Sequence, residues 1–310
     1  LPELKAVVAE VSDMIDDWSD AYGIDFSRSM NITGGEPFLR PDLFAVLEEV
    51  RRRDFDIFLL TNGTLVDRAR AMRLAELGVR GVQVSIEGPE PVHDSIRGAG
   101  SFAASAAGIA HLVDAGLAVT LNVTLSRLNA SAMKEVIAFG SRAGARRIGF
   151  SRLVPSGKGS SLLSQMLSPG EVKDLYESLF SQDIEDLRLV TGDPVASCMK
   201  APSSGDAGDT AMSGCAAGVS GLTILPNGDV LPCRRLPLYL GNAFRDSLRE
   251  IWASSPVLEA LRDRGRYKGK CRTCPRWAHC RGCRAIAYAW SCSRGEDDFL
   301  AGDPQCFIKE

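Results

Sequence analysis

Cysteine is absent from the first 197 residues of this 310-residue chain, so no disulfide and no thiolate-held metal can belong to its first two-thirds. Histidine is scarce. His93, His111 and His279 are too few and too scattered for an imidazole metal centre. No apolar run approaches the roughly 18 residues needed to span a bilayer, and no signal peptide is visible. An excess of one charge is also lacking: 36 Lys and Arg face 39 Asp and Glu, for a net charge of −3 and a pI near 5.8. No global basic character therefore points to nucleic acid or a membrane surface as partner. A methionine at position 1 is missing too, and Leu1 in its place leads us to expect a preceding segment. With 45% hydrophobic and 24% charged residues, the composition is that of a globular protein, expected to be cytoplasmic, with one large domain or a large and a small one.

The first two-thirds alternates between helical and extended patterns. "LPELKAVVAEVSDMIDDWSDAYG" has apolar residues at helical spacing, and "SMNITGGEP" follows as a short strand ending in glycines. The alternation continues through "FDIFLLTNG", "GVQVSIEG", "AVTLNVTL" and "RIGFSRLVP" as strands, with amphipathic segments between them. Gly78, Gly116 and Gly144 stand where helices should end. Repeated strand–helix units imply an α/β fold with a parallel sheet, open or curled into a barrel. Five strands are legible and the chain opens on a helix, so the pattern is that of a barrel whose first strand and loop precede Leu1. From about Ser197 the texture changes. "SCMKAPSSGDAGDTAMSGC" is a small, polar loop, "LTILPNGDVLPC" reads as a hairpin about Asn227-Gly228, and "SLREIWASSPVLEALRDR" reads as one amphipathic helix. "RAIAYAW" is expected to form a short final helix.

All nine cysteines lie in this last part, at 198, 215, 233, 271, 274, 280, 283, 292 and 306. A disulfide scaffold is small, spreads its cysteines along the chain and pairs them, whereas nine leaves one over. Metal ligation is the better reading. The plain version is one tetrahedral zinc on Cys271, Cys274, Cys280 and Cys283. Two Cys-x-x-Cys pairs around one ion are normally separated by about a dozen residues or more, and here only five intervene. Crowding of this kind fits better if the pairs share out their ligands between two centres, as in two-cluster ferredoxins.

"GCAAGVSGLTILPNGDVLPC", followed by C-x2-C-x5-C-x2-C and then "DPQC", closely resembles the SPASM extension of radical S-adenosylmethionine (SAM) enzymes. The resemblance implies two auxiliary [4Fe–4S] clusters, one on Cys215, Cys233 and Cys283 and the other on Cys271, Cys274, Cys280 and Cys306. "TGGEP" at a strand end resembles the motif of the same family that contacts the SAM methionine, and "LLTNG", "VSIEG" and "HDSIRG" follow at the family's spacing. The implied fold is a partial (β/α)6 TIM-like barrel over residues 1–196, lacking its first strand. A small cysteine-rich domain with a hairpin and helices follows over 197–310. Gly34, Gly35, Glu36 and Pro37 would bind SAM. Ser85 and Asn122 would bond its ribose or carboxylate, and Arg97 and Arg152 would pair with the carboxylate. Gly157 and Gly159 would let the backbone approach adenine, and Glu87 would touch SAM or substrate. For each polar residue the plain alternative is a satisfied strand-end group or a solvated arginine.

The chain departs from the family in one respect. The signature Cys-x3-Cys-x2-Cys, whose cluster binds SAM, is absent. It is expected upstream of Leu1, the alternative being a degenerate homologue without radical chemistry. Cys198 would be a fourth ligand of the first auxiliary cluster, or, like Cys292, a hydrogen-atom donor to a substrate radical. A small buried apolar role is the alternative for both. The implied activity is maturation of a ribosomally made precursor peptide, fed by an external donor of ferredoxin or flavodoxin type. A tetrapyrrole-modifying enzyme and a non-catalytic iron–sulfur binding or electron-transfer protein are the rival readings.

Overall fold

The computed structural model describes residues 1–199 and 214–308. Six strands, β1 (Ser29–Ile32), β2 (Asp56–Thr61), β3 (Gly81–Ser85), β4 (Val119–Leu125), β5 (Arg147–Arg152) and β6 (Arg188–Thr191), form one sheet in that order. β1 to β4 pair in parallel, with Ile32 opposite Leu59, Thr61 opposite Val84 and Ser85 opposite Asn122. Along β4, Val119, Leu121, Val123 and Leu125 are buried and the residues between them half-buried. That is the two-residue period of a strand with one face in the core.

The helices are α1 (Pro2–Tyr22), α2 (Leu43–Arg52), α3 (Arg68–Glu76), α4 (Glu90–Arg97), α5 (Ser101–Asp114), α6 (Met133–Arg142) and α7 (Pro169–Phe180). Gly78, Gly116 and Gly144 take φ of +70°, +77° and +73° directly after helices, as their positions led us to expect. Sequence patterns did not bring out β6, α4 or α7. The α7 start is nonetheless a capping box: Ser168 accepts from Glu171 N, the Glu171 carboxylate accepts from Ser168 N, and Pro169 sits at the first helical position.

The chain forms two compact units. One comprises Leu1–Val123, Ser131–Gly149 and Ile184–Leu189, the other Thr124–Ala130, Phe150–Asp183 and Val190–Glu310. The boundary expected between 196 and 197 falls inside the second unit, to which α7 also belongs. The loop expected over 197–215 lies largely outside the described residues.

Beyond it, β7 (Thr223–Ile224), β8 (Asp229–Leu231) and β9 (Gly241–Asn242) pair antiparallel, β7 and β8 forming the expected hairpin. Asn242 staples that turn, donating from Nδ2 to Asn227 O (3.0 Å) and Asp229 Oδ1 (3.0 Å). Four helices follow: α8 (Leu248–Ser254), α9 (Pro256–Arg262), α10 (Lys270–Thr273) and α11 (Arg284–Ser293). The segment read as one helix over 247–264 is therefore two. Ser255 is extended (φ −68°, ψ 121°) because a residue before proline is driven from the helical region, and Pro256 opens α9. Among the described residues no helix is long and apolar enough to cross a membrane.

Candidate functional site

Cys271, Cys274, Cys280 and Cys306 line one cavity of about 260 Å³, and Cys283 is not in its wall. The reason lies in two residues. Arg281 and Gly282 both adopt φ +61°, a left-handed turn that separates the directions of Cys280 and Cys283. Arg281 is held in this costly conformation by donating from Nε to Cys215 O (3.1 Å) and from Nη1 to Ala278 O. At Gly282 a Cβ would meet Arg284 Nη2 at 2.6 Å and Asp303 Cβ at 3.0 Å, so no side chain fits. Cys283 instead enters an apolar cluster with Leu153, Met166, Leu236 and Ile286, against which Cys215 and Cys233 pack. Four of the seven thiols thus line one cavity, and the other three belong to or pack against one apolar cluster.

The four-thiol cavity has room for a polynuclear centre. Among the described residues no three His, Cys, Asp or Glu side chains converge as ligands of one ion. Four thiols instead surround a space large enough for several atoms. Burial pushes the Cys283 thiol up to about 12, against a partly offsetting Arg235, and pushes Cys306 up to about 11. Such thiols become thiolates when a metal takes up their charge.

Asp303 joins the two groups. Its Oδ2 accepts from Cys283 N (2.8 Å) and Arg152 Nη2 (2.8 Å), its Oδ1 from Arg152 Nη1 (2.9 Å) and Gln305 N (3.0 Å), and its carbonyl from Cys306 N (3.1 Å). Arg152 also donates to both oxygens of Asp193 (2.5 and 2.9 Å) and to Gln305 Oε1 (3.2 Å). All five of its N–H donors are engaged, and its side chain is fully buried. The expectation that Arg152 pairs with a ligand carboxylate is corrected on this ground: two aspartates already fill that role. Tyr176 donates to Asp193 (2.7 Å) and closes the network. No sequence pattern signalled Asp193 or Asp303 as partners.

In the first unit Gly34 to Pro37, Ser85 and Glu87 lie at or just after the C-terminal ends of β1 and β3, where such sheets bind ligands, whereas Asn122 is in mid-β4 and Arg97 ends α4. A Cβ on Gly34 or Gly35 would meet nothing within 4 Å, and neither has a positive φ. Their bare backbone faces open space that a ligand can approach closely. Glu36 is buried and ties the loop after β1 to the end of β2, accepting from Thr61 Oγ1 (2.7 Å) and Asn62 N (2.8 Å). Pro37 is buried and opens a short 3₁₀ turn. Ser85 and Asn122 are half-buried partners across β3 and β4. Glu87 accepts from Arg97 Nε (3.0 Å) and Nη2 (2.5 Å), so the two candidates hold each other, and Arg97 Nη1 stays free of Glu87.

His93, passed over in the sequence, is fully buried beneath this pair. Its Nδ1 accepts from Glu87 N (3.1 Å), and its Nε2 has no partner among the described residues. Burial, reinforced by Arg97 and opposed by Asp94, lowers it to about 4. Gly157 faces open space, whereas a Cβ on Gly159 would meet Val154 O at 2.8 Å. Cys292 is exposed, with Sγ 3.9 Å from Asp297 Oδ1. The Cys198 side chain lies outside the described residues.

The profile of the Radical SAM superfamily matches residues 5–140, and that of an iron–sulfur cluster-binding domain, SPASM, matches 215–275. An AdoMet-dependent heme synthase of Nitratidesulfovibrio vulgaris is 31% identical over 296 residues, spanning 89% of this chain and 78% of that protein. A mycofactocin maturase of Mycobacterium ulcerans is 31% identical over 271 residues, spanning 84% of this chain and 70% of the other. Streptococcus suis SuiB, solved bound to precursor peptide SuiA, shares the fold with a TM-score of 0.73 at 17% identity, over 97% of this chain and 69% of that one.

Proposed function

Because the chain belongs to the radical SAM superfamily and carries a SPASM iron–sulfur cluster-binding domain, we propose that it matures a ribosomally made peptide or protein, by crosslinking, epimerisation or a related change. Membership makes it an enzyme that uses SAM and iron–sulfur clusters. When bound, these cofactors supply one-electron cleavage of SAM to a 5′-deoxyadenosyl radical able to take hydrogen from an unactivated carbon. Cys215, Cys233 and Cys283 would hold one auxiliary [4Fe–4S] cluster and Cys271, Cys274, Cys280 and Cys306 the second, while the third, SAM-binding cluster would need a Cys-x3-Cys-x2-Cys motif that residues 1–310 do not supply. What carries this assignment is the cavity lined by four thiols while the fifth, Cys283, packs elsewhere with two more.

The chain's own residues position and shield. Gly34 and Gly35 leave room for the methionine end of SAM, and Glu36 fixes the loop that presents them. Ser85 and Asn122 offer a hydroxyl and an amide from adjacent strands, and Arg97 offers Nη1 to a carboxylate while Glu87 fixes its orientation. Electrons come from a ferredoxin- or flavodoxin-type donor in the cytoplasm.

The peptide reading draws on likeness to the mycofactocin maturase and to the SuiB–SuiA complex. Equal identity to the heme synthase supports a second reading, a tetrapyrrole substrate. Anaerobic assay of reductant-dependent SAM cleavage by a form extended upstream to include a Cys-x3-Cys-x2-Cys motif, against short precursor peptides and against tetrapyrroles, separates the two. Stimulation by a peptide, with a mass change in that peptide, is expected; stimulation by a tetrapyrrole alone overturns the first reading.

A further inference from the structure

The cavity that holds Cys271, Cys274, Cys280 and Cys306 has a buried hydrogen-bond donor in its wall that lacks an acceptor. Trp277 lines it, and its buried Nε1 has no partner among the described residues. Buried donors are seldom left so, and an indole N–H can only donate. Gly282 N already donates to Cys280 Sγ (3.3 Å), and Arg284 Nη2 lies 3.7 Å from Cys271 Sγ. Arg284 is 1% exposed and permanently charged. Its oxygen partners are main-chain carbonyls, Ala301 O at 2.8 Å, Phe299 O at 3.3 Å and Gly282 O at 3.5 Å. These engage Nε and Nη1, while Nη2 faces Cys271 Sγ, and carbonyls give the charge no full counter-charge.

One ring fixes both donors. Arg284 Cζ lies 4.8 Å from the centroid of Tyr267, and Trp277 meets the same ring edge-on at 5.4 Å and 90°. Tyr267 is itself buried and anchored by its hydroxyl to Leu261 O (2.8 Å). A rigid indole N–H therefore lines the thiol-bearing space, and a rigid guanidinium reaches Cys271 Sγ in its wall.

We propose that Arg284 and Trp277 are positioning donors to the sulfurs of the centre bound there, and that they raise its reduction potential. Reduction adds one electron and no proton, leaving the centre one charge more negative. A fixed cation and N–H···S bonds favour that state. The proposal rests on the two-cluster assignment above.

The test is an electron-paramagnetic-resonance titration of the holoenzyme with dithionite and redox mediators. Trp277→Phe keeps the ring and deletes one N–H, Arg284→Met deletes the charge, and Arg284→Lys keeps the charge without the fork. Trp277→Phe and Arg284→Met are expected to weaken reduction of this centre at least tenfold, about 59 mV for a one-electron couple, with Arg284→Lys in between and iron content unchanged. Trp277→Phe carries the test alone if Arg284→Met does not fold. Cys274→Ala identifies which signal belongs to the centre. If Cys274→Ala and Cys283→Ala abolish one and the same signal, the two-cluster assignment falls and this proposal with it. Two distinct centres whose midpoints do not move in Trp277→Phe and Arg284→Met overturn the donor roles alone.

Discussion

Replacing Arg152 by methionine would strand Asp193 and Asp303 side by side with no cation between them, both almost completely buried. Burial alone would raise the Asp303 carboxyl; the guanidinium outweighs it and holds the group below the ordinary carboxylate range. Removing one member of a buried ion pair costs roughly 3–5 kcal/mol, and two orphaned carboxylates place Arg152→Met at the top of that range. Asp303→Asn is milder, because Arg152 and Asp193 still neutralise each other. Its amide must nevertheless turn an NH₂ toward one pair of N–H donors, either Arg152 with Cys283 or Arg152 with Gln305, and two opposed donors cost about 3 kcal/mol together. The two changes should not add. Once Arg152 is gone, Asp303→Asn removes a stranded charge, so its cost shrinks toward zero or reverses, giving a coupling of about 3 kcal/mol. Anaerobic urea denaturation of the wild type, both single variants and the double variant measures it. A cost for Asp303→Asn that is equal in both backgrounds would refute the reasoning, because it would mean that the carboxylate does not serve the arginine.

Other consequences can be measured as directly. Cys283→Ala should empty a different centre from Cys274→Ala, each losing about four of roughly eight irons bound by residues 1–310, if both centres are cubane clusters; anaerobic iron counting with Mössbauer spectroscopy reads this. Gly35→Val should weaken SAM binding at least tenfold by calorimetry while leaving the denaturation midpoint in place, because its side chain enters open space and not the core. His93 has a folded value near 4 against an ordinary 6.5. Above pH 6.5 neither state is protonated; as pH falls toward 4 the unfolded chain takes up a proton that the folded chain refuses. Stability is therefore lost over that window, by at most about 3 kcal/mol, and His93→Gln should flatten this part of the profile.

Much of this molecule could be read before its coordinates. The strand–helix alternation, the helix-ending glycines and the Asn227-Gly228 turn depend on contacts a few residues apart, and each appears where its pattern led us to expect it. Cysteine spacing suggested two centres because five residues cannot easily wrap two pairs around one ion. The break at Pro256 was legible as well, since Ser255 precedes a proline, yet the amphipathic pattern across it suggested one helix. The partners of Arg152 were beyond reach. They lie 41 and 151 residues away, and no local pattern distinguishes an arginine that will meet two aspartates from one that will meet a ligand. Short, half-exposed β6, with pattern exposed, half-buried, exposed, half-buried, gave too little hydrophobic signal to stand out.

Asp303 also fixes a schedule. It grips Cys283 through its side chain and Cys306 through its carbonyl, so neither thiol group has its final shape until the ribosome has passed residue 306. Both centres are then expected to be loaded only after residue 306 has been made, with the cell's cluster-delivery machinery meeting a folded, thiol-lined receptacle. A ribosome-stalled chain ending near residue 300 should accordingly leave the tunnel without iron at either group, even though six of the seven thiols have already been made.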